Sequence, residues 1–201
     1  MAFFRAMPHM IVSSPMNEAE LRDLMYTAQL ENMGPFAIRY PRGNGSMVNW
    51  KTPMKKISVG SGRQLSSGSD LAILSIGPLG VDAQDAVHEL SEQGISAAHY
   101  DMRFIKPIDE TILHEVFGKF KNIITVEDGS IIGGFGSAVI EFMADNNYSA
   151  KVVRLGIPDE YIEHGTQEEL YALCEYDKAA IIKHAHILVD KKELSSNKAA
   201  G

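Results

Sequence analysis

Arg39 and Arg42 stand three residues apart across Tyr40-Pro41, in the stretch Arg39-Tyr40-Pro41-Arg42-Gly43-Asn44-Gly45. A guanidinium is a planar fork of donors that captures phosphate or carboxylate through paired hydrogen bonds. Pro41 fixes the bend between the two arginines, and Gly43 lets the chain turn away without a side chain. The stretch follows Phe36-Ala37-Ile38, which reads as a strand, and open α/β sheets take their ligands at the carboxyl ends of strands. A strand-end arginine paired with a nearby acid meets the same pattern. The pattern alone leaves both readings open.

A second stretch, Gly129-Ser130-Ile131-Ile132-Gly133-Gly134-Phe135-Gly136-Ser137, follows a strand and opens a helix. Free N–H groups and the positive end of a helix dipole suit an anion there. The dinucleotide fingerprint fails, however, because the sixth position counted from Gly134 is Val139. No GxxxxGK[ST] phosphate loop occurs, and a glycine turn that packs a helix on a sheet accounts for the loop equally well. Glu127 and Asp128 precede it; neighbours on a strand face opposite ways, so they do not form a catalytic dyad. One is expected to cap the following turn and the other to meet Arg103 or Lys106. The histidines lack HExxH spacing and Cys174 has no CxxC partner, so no metal site is assigned. His164, in a loop before a helix, reads as a surface or cap residue.

The composition is that of a globular chain: 201 residues, 45% hydrophobic and 22% charged. A net charge of -7 argues against a nucleic-acid surface. No apolar run approaches the ~20 residues needed to span a bilayer. The single cysteine cannot form an internal disulfide, which points to a reducing cytoplasm.

The elements that must position these residues can be read in order. Met1 to Arg5 runs almost directly into a strand at 10–15. Asn17 starts a helix, with Glu20 at the capping-box spacing and an apolar stripe through Leu21, Leu24, Met25 and Ala28. Gly34-Pro35 ends it, and a second strand follows. This strand-helix-strand unit, 10–45, is a separate flap, too small to cover its own sheet, so it is expected to pack on something outside the chain. A Gly/Ser/Lys-rich segment follows, with a short strand pair around 57–65. From Asp70 onward strands at 71–76, 95–100, 122–126 and 152–155 alternate with helices at 81–93, 109–118 and 137–146. That alternation predicts an open, mostly parallel α/β sheet. Thr166 and Glu169 form a second capping box for a helix at 167–174, and a last helix spans 178–189.

Five stretches carry a resemblance: Met10 to Glu20 (MIVSSPMNEAE), Gly34 to Asn44 (GPFAIRYPRGN), Asp101 to Asp109 (DMRFIKPID), Thr125 to Ala138 (TVEDGSIIGGFGSA) and Leu155 to Glu169 (LGIPDEYIEHGTQEE). Together, and in this order, they resemble the 1-deoxy-D-xylulose-5-phosphate synthase family of transketolase-like enzymes. The resemblance implies an α/β fold: a transketolase C-terminal-domain-like open, mostly parallel sheet with helices on both faces, preceded by the last strand-helix-strand of a pyrimidine-binding domain. It divides the chain into a pyrimidine-domain remnant at 1–45, a linker at 46–67, the transketolase C-terminal domain at 68–188 and a disordered tail at 189–201.

For the complete enzyme the resemblance implies thiamine diphosphate and Mg²⁺ as cofactors. It implies pyruvate and glyceraldehyde 3-phosphate as substrates, condensed with loss of CO₂ for isoprenoid and thiamine precursor synthesis, and a cytoplasmic homodimer. The arginine of the family's YPRG motif grips the acceptor's phosphate and falls on Arg42; Arg39 is the second arginine of that stretch. The family's GDG-to-Asn metal motif and its catalytic Glu, His and Asp have no counterpart in this sequence. The resemblance therefore implies no catalytic, cofactor-binding or metal residue in this chain, and no turnover on its own. Two other classes fit: a stand-alone dimerisation or ligand-sensing module, and the C-terminal subunit of a split enzyme.

Overall fold

The computed structural model describes residues 1–42, 45 and 48–199, with side chains described up to Val189. The chain opens with a short helix, α1 (Ala2–Arg5), and then β1 (Ile11–Ser13), α2 (Glu18–Ala28) and β2 (Phe36–Ile38). Asn17 Oδ1 accepts from Glu20 N at 3.0 Å and so starts α2. The Glu20 carboxylate reaches one residue further back than a capping box requires, accepting from Met16 N at 2.7 Å. The strands β3 (Arg63–Ser66) and β4 (Leu71–Ile76), α3 (Leu79–Glu92), β5 (Ala97–Asp101) and β6 (Phe104–Lys106) follow. The chain closes with α4 (Glu110–Lys119), β7 (Asn122–Ser130), α5 (Phe135–Asp145), β8 (Lys151–Ile157), α6 (Gln167–Leu173) and α7 (Lys178–Ala199).

Five strands form one sheet in the order β3-β5-β4-β7-β8, all parallel except the edge strand β3. Its alternation feeds two cores. Ala72, Leu74 and Ile76 of β4 face one side, with Phe117, Phe135 and Val139 from α4 and α5. Leu71 and Ile73 face the other, with Leu79, Ala83, Leu90 and Ile181 from α3 and α7. Helices on both faces bury β4 from end to end, which explains its nearly unbroken apolar run.

The N-terminal unit makes a second, three-stranded sheet in the order β2-β1-β6. Within the chain, β6 pairs antiparallel with β1 and so joins this unit to the second half of the sequence. Phe104 of β6 is buried against Leu24 and Ile57. The expected strand pair at 57–65 is reduced to β3. Ile57 instead docks on α2, donating its N–H to Thr27 Oγ1 at 2.9 Å. That hydrogen bond and the Glu20 carboxylate turn the buried face of α2 to Glu20, Leu24 and Thr27, leaving Met25 exposed. The N-terminal residues form α1 because Arg5 bonds Gly133 O and Glu141 while Lys106 Nζ holds the carbonyls of Arg5 and Met7. The last helix, α7, runs from Lys178 to Ala199. No Gly or Pro interrupts 178–199, and Lys, Glu and Leu sustain a helix.

Four charged side chains knit the two sheets. Arg103 Nε lies 2.7 Å from Glu20 Oε1, and Arg63 Nη2 lies 3.1 Å from the same oxygen and 2.9 Å from Asp101 Oδ2. Both carboxylates are buried. Burial, and then the Glu20 charge, push the Asp101 carboxyl up to about 7. Two residues away on β5, His99 is buried with Nε2 2.7 Å from Ser75 Oγ, and burial holds it down at about 4.

Phe104→Ala should cost about 3–5 kcal/mol in urea unfolding, since it empties the packing between β6 and α2. Phe3→Ala, on a side chain 72% exposed, should stay within about 0.5 kcal/mol of wild type. Titration offers a second test. A carboxyl raised in the folded state contributes stability that is complete below the unfolded value of 3.8 and lost as pH rises through about 7. A histidine depressed in the folded state contributes stability present above its unfolded value of 6.5 and lost as pH falls toward about 4. Between these limits the two oppose each other. Urea midpoints should therefore fall more steeply on acidification in Asp101→Asn than in wild type, and less steeply in His99→Gln.

Candidate anion-binding site

Arg39 leaves the end of β2 with its backbone fixed at both ends. Its N–H donates to Ser13 O at 2.9 Å, and its carbonyl accepts from Ser14 Oγ at 2.8 Å. The side chain crosses to the end of β7, where Nη2 lies 2.9 Å from Asp128 Oδ2. Asp128 also accepts from the hydroxyls of Tyr171, at 3.2 Å, and Tyr176, at 3.4 Å. Gln167 Nε2 donates to Tyr171 Oη at 2.6 Å. Burial first, and then the Asp128 charge, push both phenols up, so they remain protonated donors. Arg39 Nη1 is buried and has no partner among the described residues.

These groups line a cavity of about 390 Å³ that also takes in Tyr40, Pro41, Arg42 and Cys174. A neighbouring cavity of about 550 Å³ shares Tyr40, Pro41, Gln167 and Tyr171 and carries Glu18 and Asp82 on its walls. Arg42 is exposed, and among the described residues it makes no hydrogen bond or ion pair. The structure thus brings both arginines to one cavity with different duties: Arg39 is paired with an acid, and Arg42 is open to solvent. Gly43 and Asn44 of the same motif lie outside the described residues.

The glycine loop serves the fold. Glu127 turns its carboxylate onto the first turn of α5, accepting from Phe135 N and Gly136 N at 2.8 Å each. The anion at this helix end is the chain's own side chain. Gly134 is required for it, because a Cβ there would collide with Glu127 Oε2 and Ser130 O. Asp128 meets Arg39 and not Arg103 or Lys106, which correct that expectation by serving Glu20 and the carbonyls of Arg5 and Met7 respectively.

Sequence reasoning misses Tyr171, Tyr176 and Gln167 as site residues. A signal exists for two of them, since Gln167 and Tyr171 are four apart on α6, one face of a helix. The Thr166–Glu169 capping box that starts α6 is closed on both sides, so it fixes that face. Among the described residues no cluster of three His, Cys, Asp or Glu could hold a metal ion. No described helix is long and apolar enough to cross a membrane.

Residues 60–181 match the family model for the transketolase C-terminal domain, and the chain belongs to that family. More particularly, it is 61% identical over 184 residues to 1-deoxy-D-xylulose-5-phosphate synthase of Cytophaga hutchinsonii, and 55% identical to that of Bacteroides fragilis. Each alignment covers 91% of this chain but only 28–29% of the relative, so the chain spans under a third of the curated relatives it matches. Among solved structures it resembles a split gene transketolase, an inactive β4 tetramer, with TM-score 0.82 and 28% identity. That likeness covers 94% of this chain and 61% of the other. A Pichia stipitis transketolase, at TM-score 0.66 and 20% identity over 94% of this chain and 26% of its own, shares the fold.

Proposed function

We propose that this chain supplies the C-terminal part of a 1-deoxy-D-xylulose-5-phosphate synthase, with Arg42 holding the phosphate of glyceraldehyde 3-phosphate. The observation that carries this is the 61% identity to such a synthase across 91% of the chain. In this reading residues 1–45 end a pyrimidine-binding domain, 46–67 link it, and 68–188 form the end domain. Thiamine diphosphate and Mg²⁺ would be held by residues beyond this chain, and the assembly works in the cytoplasm. Arg42 suits the phosphate role because it is unpaired among the described residues, exposed and beside a second guanidinium.

In the complete enzyme, Arg42→Ala should raise KM for glyceraldehyde 3-phosphate and leave pyruvate decarboxylation nearly intact. Removing a charge-assisted pair of hydrogen bonds to the phosphate should cost about 2–4 kcal/mol, or roughly 30- to 1000-fold in kcat/KM. Binding remote from the reacting carbon is largely uniform, so kcat should change little. Arg42→Lys should recover only part, since an ammonium cannot reproduce the paired geometry. Equal loss with phosphate-free glyceraldehyde would sink the assignment.

A second reading, the C-terminal subunit of a split enzyme, is favoured by the likeness to a split gene transketolase. Co-purification with a separately encoded N-terminal polypeptide, and activity only in the mixture, would separate it from the first. In either reading the chain self-associates as a homodimer through apolar surface such as Phe3, Tyr40 and Met25, all exposed. Light scattering at tens of micromolar should report a dimer; a clean monomer there counts against self-association.

A further inference from the structure

Arg39 holds a buried donor that no described residue uses. Its Nη2 is ion-paired with Asp128, whereas Nη1 is buried and has no partner among the described residues; Arg39 lines the same cavity as Arg42. Burying a charged N–H without an acceptor is costly, and native structures that do so keep the donor for a ligand or a bound water. The arrangement holding Arg39 is costly in its own right. Asp128 is nearly buried and takes one guanidinium and two phenol hydroxyls, and Gln167 orients one of those phenols.

We propose that Asp128, Tyr171 and Tyr176 are positioning residues. They lock the Arg39 guanidinium by one edge, so that Nη1 stands ready as a second donor to the oxyanion that Arg42 meets. The inference rests on reading this cavity as an anion site and assigns new residues to it. Fixing one edge removes the rotamer freedom that an arginine otherwise loses when a ligand binds. It also leaves Arg39 one free edge and Arg42 a whole fork. That donor set suits a tetrahedral oxyanion such as a phosphate monoester, with three oxygens to share, better than a carboxylate.

The test uses inorganic phosphate and the full chain, with binding followed by calorimetry at fixed ionic strength and folding checked by circular dichroism. Asp128→Asn is informative because charge and position predict opposite signs. It adds one positive charge to the site, so a purely electrostatic role would tighten phosphate binding. The positioning role requires it to weaken by about tenfold, as removal of one charge-assisted hydrogen bond does. Tyr171→Phe and Tyr176→Phe combined leave the charge unchanged, preserve the ring packing, and should weaken binding about 3- to 10-fold. If Asp128→Asn does not fold, this double variant carries the test alone.

Unchanged or tighter phosphate binding in the folded Asp128→Asn chain overturns the inference, as does unchanged binding in the double phenylalanine variant. Weaker binding in Arg42→Ala with no weakening in these variants leaves the anion site standing and removes only the positioning network. Weaker binding in these variants with none in Arg42→Ala leaves the Arg39 network standing and removes Arg42 from the site. No phosphate binding by the wild-type chain overturns both.

Discussion

Four charges meet where the two sheets join, and the position of the candidate site follows from them. Glu20 comes from α2, Arg63 from β3, Asp101 from the end of β5, and Arg103 from the turn into β6. Buried carboxylates cannot be left alone, so any packing of the flap that separated Glu20 from its arginines would strand charge in a low-dielectric interior. Such a cluster contributes little to net stability, yet removing one partner and stranding another is costly. Arg103 adopts φ 53°, a backbone region unusual for a residue with a side chain. There its carbonyl accepts from Ser14 N at 2.9 Å while its side chain bonds Glu20. The turn thereby sets β1, β1 sets β2, and β2 ends at Arg39.

The cavity consequently belongs to neither sheet alone. Arg39 and Arg42 come from the three-stranded side, and Asp128, Tyr171 and Tyr176 come from the five-stranded side. The two acids at the end of β7 divide their work. Glu127 satisfies the N–H groups of α5, and Asp128 satisfies a guanidinium from across the junction. Alternation along the strand makes this possible, because neighbours serve opposite sides.

What can be read from sequence is what local physics decides. The buried run of β4, the Asn17 and Thr166 caps and the alternation after Asp70 each rest on interactions within a few residues or within one repeating unit. The spacing of Arg39 and Arg42 likewise marks both the anion-capture and the ion-pair readings, and the structure gives the ion pair to Arg39 and leaves Arg42 exposed. β6 escapes because three residues between a left-handed turn and a proline show no period to detect. The Tyr171–Asp128–Arg39 chain escapes because its members lie on three distant elements. The apolar stripe misplaces Met25 because a polar residue, Thr27, takes the inward position to receive Ile57 N.

The pairing of β1 with β6 also has a temporal side. The ribosome delivers Ile11–Ser13 long before Phe104–Lys106, and at about 5–20 residues per second the delay is on the order of ten seconds. Through that interval β1 can zip to β2, while β6, its other partner in this structure, has yet to be made. An open edge bearing Ile11 and Val12 is a template for pairing with other nascent chains. Among strand partners, the last to arrive at this sheet is the one that shuts that edge, so the sheet is completed from the far side of the chain backwards.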